Sequence, residues 1–99
     1  MRRGTTPTYA IRITGRDMAA IDRVILSFEQ TDEDGNISHE LDIDCTISAD
    51  GAFATLTREQ TLAFAKGSVK RQVTVKTVEG LWETNDIGKE KVVDTIYEG

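Results

Sequence analysis

From Ile37 to Ile47 the chain places Ile37, His39, Leu41, Ile43, Cys45 and Ile47 at every second position, with Ser38, Glu40, Asp42, Asp44 and Thr46 between them. Successive side chains of a strand point to opposite faces, so this pattern yields one apolar and one polar face only when the backbone is extended. The run is long for a single strand. Its length predicts a bend or bulge near Asp42 to Cys45, with the two halves serving different sheets.

The same period recurs along the chain. Tyr9, Ile11 and Ile13 alternate with Ala10, Arg12 and Thr14 just after Pro7, a residue tolerated at a strand start. Val24, Leu26 and Phe28 form the inward side of a second strand, and Ala52 to Leu56 a later one. Val69, Arg71, Val73, Val75 and Thr77 alternate with Lys70, Gln72, Thr74 and Lys76. Leu81 to Thr84 and Val92 to Tyr97 are read as the last strands, with Asn85 to Lys89 as a loop between them. The breaks carry turn chemistry: Thr31 to Asn36 with Asp34-Gly35, then Asp50-Gly51, Lys66-Gly67-Ser68 and Glu79-Gly80. Gly15 to Asp22 reads as a connection with a helical turn at Met18 to Ala20. Thr57-Arg58-Glu59-Gln60 reads as a capping box opening a single turn that ends near Phe64. Leu62 and Phe64 are expected to close the bottom of the core.

Thr, Ile and Val supply 29 of the 99 residues, a β-branched enrichment that suits pleated surfaces. The expected fold is all-β: an immunoglobulin-like antiparallel β-sandwich of seven or eight short strands with one helical turn near Thr57 to Phe64. "Immunoglobulin-like" means architecture only, since a lone cysteine cannot form the paired-cysteine signature. Residues 1–99 make one domain, with 1–6 as a flexible N-terminal arm.

The net charge is −5, which disfavours a phosphate-binding surface and hence nucleic acid. From Val24 to Thr57 there is no Lys or Arg but eight acids: Glu29, Asp32, Glu33, Asp34, Glu40, Asp42, Asp44 and Asp50. One region of the fold should therefore be acidic and another mildly basic. Solvation and protection of a sheet edge account for that polarity; head-to-tail orientation of neighbouring subunits is the alternative. The N-terminal residues lack the apolar stretch of a signal peptide, and the longest strongly apolar run is only Val24-Ile25-Leu26. A cytoplasmic, soluble chain without membrane contact is expected.

Residues able to carry chemistry are few. Cys45 is the only cysteine and reads as a small buried hydrophobe. Asp32-x-Asp34-x-Asn36 has the spacing that opens a calcium loop, but Ile37 and Ile43 stand where an EF-hand needs its glycine and its bidentate acid. A solvated hairpin tip is the simpler reading. His39, the only histidine, reads as a partly covered edge residue; a hydrolase acting through it and the acidic belt is the more distant alternative. No catalytic residue, metal or cofactor is expected. Trp82 is expected to cap the core at a sheet end, with an exposed stacking or anchoring role as the alternative.

The segments Arg3 to Thr8, Leu26 to Gln30, Leu56 to Phe64 and Gln72 to Thr77 together resemble small prophage-encoded proteins of low-GC Gram-positive bacteria, found near tail and baseplate genes. The resemblance implies an immunoglobulin-like β-sandwich and carries over no catalytic or ligand residue. The chain departs from that family in its acidic hairpin at Asp32 to Asn36 and in its tail after Asn85. A non-catalytic structural or adaptor protein of a phage particle is therefore expected. Its contacts would be with other phage structural proteins or with copies of itself. Thr5, Thr6 and Thr8, in an extended arm suited to strand addition, and Trp82 are the candidate contacts. The rival expectation is a carbohydrate- or cell-surface-binding module using Trp82 and Tyr97.

Overall fold

The computed structural model describes residues 1–94. Their elements are β1 (Thr8–Arg12), a 3-10 turn (Met18–Ala20), β2 (Ile21–Thr31), β3 (Ile37–Asp44), β4 (Thr46–Ile47), β5 (Gly51–Thr55), α1 (Arg58–Leu62), β6 (Gly67–Thr77) and β7 (Trp82–Val92). The strands form two sheets, ordered β1-β5-β4 and β3-β2-β6-β7, and every neighbouring pair is antiparallel. The long alternating run breaks where its spacing predicts: β3 ends at Asp44, and beyond Cys45 the chain joins the other sheet as β4.

The core lies between the sheets. Val24, Leu26 and Phe28 of β2, Val69, Val73 and Val75 of β6, and Ala52 and Ala54 of β5 are all buried, joined by Leu56 and Phe64. Tyr9 of β1 meets Phe28 edge-to-face at 5.3 Å, and Phe28 meets Phe64 at 5.9 Å. Such ring pairs add to the area term, which dominates the burial of side chains this large.

The capping box forms. Thr57 Oγ1 accepts from the Gln60 backbone N–H at 3.1 Å, and Gln60 Oε1 accepts from the Thr57 N–H at 2.8 Å. This one turn swings Phe64 into the core, but Leu62, expected beside it, is 38% exposed. Residues three apart on a helical turn share a face, so Thr61 and Phe64 are buried while Leu62 points away.

Asn85 to Lys89 is not a loop but the middle of β7. Arg71 stands opposite Gly88 and Gln72 opposite Asp86, so Ile87 is the extra residue of a bulge. Gly88 takes φ 98°, a conformation costly for any residue with a Cβ. The polar composition that reads as a loop belongs to an edge strand, most of whose length is exposed on both sides. Val92 ends this strand, and residues 95–97 of the expected last strand lie outside the described residues.

The N-terminal segment, expected as a flexible arm, lies against β7 and α1. Arg2 and Val93 form a parallel bridge, with bonds from Arg3 N to Val93 O and from Val93 N to Met1 O, each 2.9 Å. The Arg3 guanidinium donates to Phe64 O at 2.7 Å and to Leu62 O at 3.1 Å.

Candidate functional site

Because Val24, Leu26 and Phe28 point into the core, Ser27 and Glu29 between them point outward. Residues in register across a sheet share a face. The outer face of the four-stranded sheet therefore carries the row Glu40, Glu29, Lys70, Lys89 across β3, β2, β6 and β7. It reads acid, acid, base, base. The next row is Asp42, Ser27, Gln72, Asp86, tied by Ser27 Oγ donating to Asp42 at 2.6 Å and Gln72 Nε2 donating to Asp86 at 2.7 Å. Arg23 donates to Asp44 at 2.8 Å, and Lys76 lies 3.2 Å from Asp22. Among the described residues, Glu40 at one sheet edge and Lys89 and Lys91 at the other form no ion pair. The expected split between an acidic and a basic region appears in one row of this sheet, whereas the next row has an acid at each edge.

The inner side of β7 is largely uncovered, as a three-stranded sheet facing a four-stranded one allows. Glu83 and Asn85, in register with buried Val75 and Val73, are exposed. At the far end of this flank the Tyr9 hydroxyl donates to Glu90 Oε1 at 2.7 Å, and the Met1 amino group lies 2.9 Å from Oε2. Burial, reinforced by the Glu90 carboxylate, pushes the Tyr9 phenol well above its ordinary value. It stays protonated and serves as a clasp between the sheets. Arg71, inward-facing beside Phe28, donates to Ile87 O at 3.3 Å.

Trp82 does not cap the core. It sits at the start of β7, 53% exposed, with Lys76 Nζ 5.6 Å from its ring centroid. The alternation carries the reason: Lys76, its register partner, follows buried Val75 and so faces outward, and Trp82 shares that face. With Val78 at 63% and Leu81 at 60% exposure it makes an apolar tip on the β6–β7 hairpin.

The three threonines lie toward the other end of β7, and two of them are engaged internally. Thr5 Oγ1 donates to Arg2 O at 2.6 Å, and the Thr8 and Thr55 hydroxyls share a 2.7 Å bond, whereas Thr6 is exposed. Tyr97 lies outside the described residues. His39 is half-buried on the edge strand, its ring 4.6 Å edge-to-face from Phe64. Cys45 is half-buried as well, and burial pushes its thiol up, away from the nucleophilic form. Asp32 Oδ1 accepts from the backbone N–H groups of Asp34 and Asn36, both at 2.9 Å, so this carboxylate closes its own turn. Among the described residues no group of three or more His, Cys, Asp or Glu is placed to hold a metal ion, and no helix is long and apolar enough to cross a membrane.

The acidic stretch and the lysine positions were visible in the sequence; that Glu40, Glu29, Lys70 and Lys89 form one row was not, because row membership depends on register. Compared with known protein families, curated proteins and solved structures, the chain matches none of them.

Proposed function

We propose that this chain is a non-catalytic contact module, a structural or adaptor part of a phage particle of the tail or baseplate kind. The observation that carries the contact role is the hairpin tip, where Val78, Leu81 and Trp82 are each more than half exposed. Clustered large apolar residues on a surface mark places where another macromolecule sits, and Trp is among the residues most used as an anchor there. The open edges of β3 and β7 offer backbone groups to a partner in the same way. The resemblance to prophage-encoded proteins is what supports the particle as the assembly. Mass spectrometry of purified particles, after chemical cross-linking, tests the reading. The chain should appear at stoichiometric level with cross-links to a neighbour, and particles lacking it would overturn the proposal.

The exposed Trp82 ring also favours a second reading, a carbohydrate-binding module, since an indole face can stack on a sugar. A glycan array of the wild-type chain beside Trp82→Ala separates the two. Saccharide-dependent signal lost in the variant supports the second reading, and its absence from the wild type removes it.

A further inference from the structure

We infer that the partner of the four-stranded sheet is a second copy of this chain, joined head to tail with β3 of one copy against β7 of the next. This rests on the contact-module reading and names the partner. Both strands are sheet edges, and in the order β3-β2-β6-β7 each neighbour runs antiparallel to the last. With four strands, β7 runs opposite to β3. A copy placed beside it in the same orientation therefore continues the antiparallel ladder without inversion.

The backbone offers one matching position on each edge, which on β7 lies between the bulge at Ile87 and the stretch that residues 1–3 cover. Cys45 N donates to Val24 O at 2.8 Å, so Cys45 faces β2. By alternation Glu40, Asp42 and Asp44 turn their N–H and C=O groups to the open edge. At the other edge Val93 bonds to Met1 and Arg3 and Lys91 O accepts from the Met1 amino group, so positions 93 and 91 face away from β6. Lys89, two residues earlier, faces the same way and lies beyond the N-terminal segment that covers the end of the edge. Glu40 and Lys89 can therefore stand as a hydrogen-bonded cross-strand pair.

Charge selects the pairing. Placing Lys89 against Glu40 of the next copy continues the row acid, acid, base, base and neutralises two side chains that have no ion pair among the described residues. The next row brings Asp86 and Asp42 towards each other, and each keeps a partner within its own copy, Gln72 and Lys70 for Asp86 and Ser27 for Asp42. Two β3 edges brought together would instead oppose Glu40, Asp42 and Asp44 with the same acids, an arrangement that like charges disfavour. The contact is heterologous, and successive copies build an open fibre or a closed ring rather than a two-fold dimer.

Sedimentation velocity on the full chain over a wide concentration range, in low and in high salt, tests the inference. The weight-average mass should climb with concentration at low salt and fall back at high salt, where exposed pairs are screened. Glu40→Lys and Lys89→Glu should each weaken association about fivefold, as an attractive cross-strand pair becomes a repulsive one. Both positions are exposed, and unchanged circular dichroism and melting would show that the variants fold. An equimolar mixture of the two variants, and the double variant alone, should each recover association. A chain that stays monomeric at every concentration in low salt overturns the inference, as does association indifferent to both reversals. Particle cross-links to a different protein, with the isolated chain monomeric, would overturn it while leaving the contact-module reading standing.

Discussion

Tyr9 ties the two sheets together through one atom, its hydroxyl hydrogen donated to Glu90. The folded state holds that proton more tightly than the unfolded chain does, since the phenol is raised above its ordinary value of 10.0 by burial and by the carboxylate. The stabilisation is therefore complete below pH 10 and shrinks as pH rises beyond it. Tyr9→Phe should cost about 1–2 kcal/mol at neutral pH, the loss of a hydrogen bond to a charged acceptor in a half-buried place. It should also flatten the alkaline limb of the stability profile relative to wild type. Urea titrations at neutral pH and above pH 10 measure both, and an alkaline decline identical in the two proteins would show that the clasp contributes nothing. Gln30 works in a related way. Only 3% exposed, it bonds both backbone groups of Ala65, accepting from its N–H at 2.9 Å and donating to its C=O at 2.8 Å. The sequence offers no sign of either arrangement, because a Tyr or Gln in an alternating run declares its face but not the atom it will meet.

Among the elements, β5 depends most on a single position. At Gly51, opposite Arg12, a Cβ would lie 1.9 Å from the Ile11 carbonyl oxygen. Gly51→Ala must push β5 away from β1 or tear the register locally. The expected loss is about 1–3 kcal/mol, as for other overpacked sites, read as a lower melting temperature; unchanged melting would mean the small sheet yields freely there. The Asp50-Gly51 pair is legible in the sequence as a turn. That its glycine is needed for contact with a strand forty residues earlier is not. The middle of β7, Asn85 to Lys89, reads as a loop for a different reason. Strand signals rest on one buried face, and here exposure on both sides leaves only Glu90 and Val92 with appreciable burial. Asn, Asp and Gly in such a strand look like a turn.

The molecule as a whole is held by a thin apolar layer in which Phe64 is the keystone of one end. It touches Phe28 from β2 and His39 from β3 while anchoring the turn after α1. Phe64→Ala should cost about 3–5 kcal/mol, a large share of the stability of a domain this size. Denaturant midpoints would show it, and a loss well under that range would mean the cavity collapses onto His39. The helical turn that delivers Phe64 was readable from its capping box, and so was the division of the Ile37–Ile47 run between two sheets. Leu62, expected beside Phe64 from its place in the capped turn, is exposed, and Trp82 takes the exposed alternative rather than capping the core. Their exposure follows from the angle of a helical turn and the parity of a strand.

The class of the fold, the faces of most strands, the turns and the unequal spread of charge can all be read from the order of residues. Those properties are local, set by the period of the backbone and the chemistry of residues close in the chain. That Glu40, Glu29, Lys70 and Lys89 share one line, that residues 1–3 cover part of the β7 edge, and that Trp82 stands outside emerges with the assembled sheets. Each depends on which strands become neighbours and in what register, and burial between the two sheets selects that arrangement from distances of many residues.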